Sequence, residues 1–108
     1  MAEPRRRIRV PRKAKKGELI LIRTLISHPM ESGLRKDKTG QIIPRKIIKR
    51  FVCKLNGREV FRTELHPAIA ANPYLTFKVK VMESGTFEFI WIDDDGSVYT
   101  KTAKIEVS

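Results

Sequence analysis

The stretch Tyr74-Leu75-Thr76-Phe77-Lys78-Val79-Lys80-Val81-Met82 decides the fold class. Leu75, Phe77, Val79 and Val81 fall on one side of an extended chain, and Thr76, Lys78 and Lys80 on the other. This period of two is that of an antiparallel strand with one face buried and one wet. Downstream, Thr86 to Ile92 repeats it with Phe87, Phe89 and Trp91 on one face, after a tight turn at Ser84-Gly85. Asp94-Asp95-Gly96 then reads as a hairpin turn, and Ser97 to Val107 as a last strand with Tyr99, Ala103, Ile105 and Val107 inward. Upstream, Ile47 to Leu55 and Glu59 to Thr63 flank Asn56-Gly57, whose tolerance of positive φ marks a two-residue hairpin. Few helical patterns compete. The expectation is an all-β antiparallel sandwich of about seven strands.

Leu19 to Ser27 departs from the alternation. Leu19, Leu21 and Leu25 fall on one face and Ile20, Ile22 and Ile26 on the other, so both faces are apolar. A sandwich strand normally wets one face, so its second face requires cover. Either another subunit supplies it or the connection from His28 to Pro44 does.

The chain has 108 residues and a net charge of +11, enough for one core and too few for a TIM barrel or a two-domain enzyme. With 41% hydrophobic residues it is not a disordered polycation. The charge is unevenly placed: residues 1–50 carry +12 and residues 51–108 carry −1. Its densest cluster, Arg5 to Lys16, lies in residues 1–17, read as a basic tail that holds at most a first edge strand, ahead of a single sandwich domain over 18–108. Such clusters bind nucleic-acid phosphates, meet acidic protein partners, or are simply solvated. Apolar runs such as Leu19–Ile22 reach only four residues, so no membrane span is expected. No apolar segment follows the basic start, so there is no recognisable signal peptide, which taken alone predicts a cytoplasmic chain.

Catalytic chemistry finds little support. Metal ligation would have to be built from His28, His66 and one thiol, and each histidine precedes a proline, as loop residues do. No Gly-rich phosphate loop occurs, and Asp93-Asp94-Asp95-Gly96 lacks the alternating ligands of a calcium loop. No catalytic, metal or cofactor site is therefore expected. Cys53 shares its strand face with Phe51 and Leu55, which makes it either a packed thiol or, if that face meets another subunit, an interface residue open to an interchain disulfide.

The order and spacing of several segments add a family resemblance. His28-Pro29-Met30-Glu31-Ser32-Gly33, Arg35-Lys36-Asp37, Gly40 and Ile43-Pro44-Arg45 resemble the signature loop of the SoxZ family, the small subunits of the SoxYZ sulfur-carrier complex. The similarity continues through Phe51, Asn56-Gly57, Pro67 to Tyr74, and Trp91 ahead of the acidic turn, with Ser32 and Leu34 in place of the commoner Thr and Gln. It implies an immunoglobulin-like sandwich in obligate heterodimer with SoxY, exported to the periplasm as passenger of that partner. It also implies transient contacts with other Sox enzymes during thiosulfate oxidation. The segment Ala103 to Ser108 carries no Gly-Cys-Gly arm, so the chain is expected to be the non-catalytic subunit rather than the sulfur-bearing one. Candidate interface residues are Leu19, Ile20, Leu21, Ile22, His28, Met30, Gly33, Arg35 and Asp37, with Cys53 as the candidate for a covalent link. The isolated chain can self-associate through the same apolar strand. The rival reading is a basic nucleic-acid-binding β domain; it needs exposed aromatic platforms, whereas the aromatic residues here alternate within strands as core does.

Overall fold

The computed structural model describes residues 4–28, 34, 36–42, 47–65 and 73–108. Eight strands form two sheets: β1 Arg6–Arg9, β2 Lys13–Ala14, β3 Glu18–Ile26, β4 Ile48–Leu55, β5 Arg58–Glu64, β6 Tyr74–Val81, β7 Gly85–Asp93 and β8 Val98–Val107. One sheet has the order β1-β3-β6 and the other β2-β8-β7-β4-β5. All neighbours are antiparallel except β2 and β8. With β1 and β2 counted as one split first strand, this matches the partition of an immunoglobulin-like sandwich, in which the first, second and fifth strands face the third, sixth and seventh. The described residues contain no helix and hence none long and apolar enough to cross a membrane.

Residues 6–14 are not a free tail. Ile8 alternates with Arg7 and Arg9, and that pattern lets β1 pair with β3 while β2 crosses to the edge of the other sheet. The Ser84-Gly85 turn also differs from its expected role, because β6 and β7 lie in different sheets and the turn carries the chain between them. Gly85 is required there by a close approach: the Asn56 side chain occupies the space a Cβ would need. Asn56, at φ 53°, accepts from the Thr86 amide at 3.0 Å and donates to the Ser84 carbonyl at 3.1 Å, locking the β4–β5 hairpin onto this crossing.

The core lies between the sheets. Phe51 is its hub, with ring centroids 5.3 Å from Trp91, 5.7 Å from Phe77 and 6.2 Å from Phe61, while Phe61 and Phe77 stack at 4.1 Å. Antibody domains join their sheets at this level with a disulfide, which a chain with one cysteine cannot form. Interlocked aromatic rings from both sheets take its place. A β-bulge between Ile48 and Arg50 keeps the pattern workable, since strict alternation from Phe51 would turn Lys49 inward. With the extra residue, Lys49 is exposed and Ile47 and Ile48 are both buried.

Among the described residues, two buried side-chain polar atoms in this interior lack a hydrogen-bond partner, the Trp91 indole nitrogen and the Thr24 hydroxyl. Thr24 is buried on β3 between Ile22 and Ile26. Removing an unsatisfied buried hydroxyl while keeping the branched shape relieves a desolvation cost. Thr24→Val should therefore stabilise the chain by about 1 kcal/mol, read as a higher urea midpoint with unchanged slope.

Candidate functional site

Strand β3 has its isoleucines inside and its leucines outside. Ile20, Ile22 and Ile26 are buried, whereas Leu19 is 59% and Leu21 38% exposed. Tyr74, opposite Leu25 across the β3–β6 ladder, is 58% exposed, so an apolar stripe runs along the outer face of the three-stranded sheet. Ile20 and Ile22, two of the candidate interface residues, belong instead to the chain's own core because their parity points them at the opposite sheet.

Cations border the stripe on both sides. Arg7 and Arg9 lie outward on β1, Lys78 and Lys80 on β6, and Arg23 on β3 itself. Arg9 is directly opposite Arg23, a like-charge pairing that destabilises an isolated sheet. The outward positions of these three strands hold no Asp or Glu. The arrangement is a surface with an apolar centre and a cationic border that complements an acidic-rimmed apolar face.

A second cluster anchors the long connection between β3 and β4. His28 Nε2 and Asp93 Oδ2 are 2.8 Å apart and both residues are buried. The other end of the connection is held by the same turn, where the Ile47 amide donates to Asp94 Oδ1 at 3.3 Å and the Asp94 amide donates to the Ile47 carbonyl at 2.9 Å. Asp95 Oδ1 accepts from the Ser97 amide at 2.8 Å, and Gly96 adopts φ +90° to close the turn. All three carboxylates of the acidic turn thus have structural roles. His28, expected at an interface, is a buried anchor instead.

Within the connection, Lys36 and Ile42 form an isolated bridge. Asp37 Oδ1 accepts from the Thr39 hydroxyl at 2.6 Å and from the Thr39 and Gln41 amides at 2.9 and 3.0 Å. These bonds, the Thr39 hydroxyl foremost, hold the Asp37 carboxyl below the usual carboxylate range. Met30, Gly33 and Arg35 lie outside the described residues.

Cys53 is fully buried in the aromatic core, where no second chain can reach it for a disulfide while the sandwich is intact. Burial pushes its thiol from 9.0 up to about 12. Alkylation at pH 8 should run roughly a thousandfold slower than in the unfolded chain, from the thiolate fraction alone. The unfolded state gives up this proton first as pH rises, so stability should fall between pH 9 and about 12. That slope, amounting to about 4 kcal/mol over the interval, should be absent in a denaturant titration of Cys53→Val. Among the described residues, no group of three His, Cys, Asp or Glu side chains is placed to hold a metal ion.

No curated protein matches the sequence. Among solved structures, a superoxide reductase (neelaredoxin) T24K variant from Ignicoccus hospitalis is 20% identical with a TM-score of 0.74, covering 99% of this chain and 83% of that one. A putative superoxide reductase from Thermotoga maritima is 21% identical with a TM-score of 0.72, covering 95% and 85%. The sulfur carrier protein SoxY from Chlorobium limicola f thiosulfatophilum is 12% identical with a TM-score of 0.66, covering 95% and 78%. At such identities these likenesses establish the shared sandwich and nothing of its chemistry. A family model for the sulphur oxidation protein SoxZ matches residues 8–104, nearly every strand described above, and the chain belongs to the SoxZ family of sulphur oxidation proteins.

Proposed function

We propose that this chain is the non-catalytic subunit of a SoxYZ heterodimer in the periplasm, binding SoxY through the outer face of the β1-β3-β6 sheet. The observation that carries this reading is the uncovered stripe of Leu19, Leu21 and Tyr74 in a member of a sulfur-oxidation family. A protein with one fully wetted sheet face would place polar residues there; leucines on a central strand are stable in water only at a cost that a partner removes. The family membership supports SoxY as that partner, and the cationic border asks for acidic residues around its apolar patch. In this role the chain completes the carrier and offers surface to the visiting Sox enzymes. As passenger of a SoxY that carries the export signal, it would reach the periplasm already folded and paired.

Co-expression of the chain with a SoxY bearing its own signal tests this directly. Both should elute from size-exclusion chromatography as one heterodimer recovered from the periplasmic fraction, and omission of SoxY should leave this chain in the cytoplasm. Recovery of two separate monomers at micromolar concentration would overturn the proposal.

A further inference from the structure

Among the described residues, most of one side of β8 has no strand beside it. β7 pairs with β8 from Val98 to Ile105, whereas on the other side β2 pairs only with Glu106 and Val107. The Glu106 amide donates to the Arg12 carbonyl and the Ser108 amide to the Ala14 carbonyl. Backbone groups alternate sides along a strand, so the amides and carbonyls of Thr100, Thr102 and Lys104 point to this same open side. Beside that edge, between β8 and β1, runs a groove of about 690 Å³ with Ile8, Val10, Ala103 and Ile105 among its walls. It continues, sharing Ile8, into a second hollow of about 560 Å³ with Arg6, Arg7, Arg9, Arg23, Tyr74 and Lys101 among its walls. Arg12 and Lys104 flank the first hollow, and Glu106 is the one carboxylate in either wall.

We propose that this edge is a docking site for an extended acidic peptide of a partner protein, which adds as a strand to β8 in continuation of β2. The unpaired backbone groups supply a ladder, the apolar walls take alternate side chains, and the cations take the carboxylates between them. The charge selects this occupant over a second copy of the chain. Two β8 edges brought together would gather four lysines, Lys101 and Lys104 of each copy, along one seam, a device by which sheet edges resist self-pairing. The same two lysines attract an acidic strand. The second hollow meets the outer face of the β1-β3-β6 sheet at Arg7, Arg9, Arg23 and Tyr74, but the ladder on β8 and the first hollow lie off that face and do not depend on which protein covers it.

The test uses the full chain and two fluorescent eight-residue peptides, one alternating Glu and Val and the other alternating Lys and Val. The acidic peptide should bind at least ~10-fold more tightly, with affinity that falls as salt rises. At saturation the Thr100, Thr102 and Lys104 amides should exchange with solvent about 10-fold more slowly by NMR. An acidic peptide N-methylated at alternate residues, unable to form the ladder, should not bind. Lys101→Glu combined with Lys104→Glu, at two exposed positions, should reverse the preference between the peptides. Equal affinity for both charges, undiminished binding of the N-methylated peptide, or protection confined to β5 or β6 would each overturn the proposal.

Discussion

Leu21→Asp should weaken heterodimer formation on the order of 100-fold while leaving the isolated chain folded, whereas Ile22→Asp should prevent folding altogether. The two positions are adjacent on β3 and chemically alike, and differ in which face they occupy: Leu21 is 38% exposed and Ile22 is fully buried. A carboxylate at position 21 of the free chain stays in water beside Lys78, its neighbour across the ladder, so stability should change by less than about 0.5 kcal/mol. In the complex the same carboxylate would lie in the apolar centre of the contact and meet the acidic rim expected of the partner. Ile22→Asp puts the charge among aromatic rings, at a cost of several kcal/mol, comparable with the whole stability of a domain this size. Isothermal titration against SoxY and circular dichroism of each variant read the two effects separately. Undiminished affinity of Leu21→Asp would remove this face from the interface.

The second large effect is expected at the buried pair under the long connection. Asp93→Ala removes the carboxylate from beside His28 Nε2 in a place closed to water, which should cost about 3 kcal/mol. Part of that loss comes from the turn itself, since Asp93 Oδ1 also receives the Asp95 amide at 3.4 Å. A double-mutant cycle with His28→Ala isolates the pairwise contribution, expected at about 2 kcal/mol. A coupling near zero by urea titration would mean that the imidazole is held by its surroundings rather than by Asp93. Because the pair anchors the start of the β3–β4 connection, Asp93→Ala should also speed proteolysis between residues 29 and 46 before any global unfolding.

Much of this was readable in the sequence, and the places where it was not have physical causes. Strands β6, β7 and β8 announce themselves by alternation, and Asn56-Gly57 fixes the β4–β5 hairpin. Strand β3 was recognisable as a strand with two apolar faces, yet alternation by itself is symmetric and could not say which face is inside. The β-branched isoleucines occupy the packed side and the leucines the open one. The segment Arg6 to Ala14 read as a tail because arginines dominate it, although Ile8 and Val10 already keep a strand's period. His28 was expected at the partner interface because it opens the loop that resembles the SoxZ signature and, like His66, precedes a proline; its partner lies 65 residues away, and no spacing rule links positions so distant. The packed thiol at position 53 was the alternative favoured by strand parity, and the core places it there.

The route of the first fourteen residues bears on when the molecule can finish folding. β1 needs only β3 as a neighbour, but β2 has none until residues 106 and 107 have been synthesised. The sandwich is therefore sealed by joining the start of the described chain to its far end, the longest loop closure available to it. A SoxY arriving during synthesis would find the apolar face of β3 presented early and the closing seam formed last.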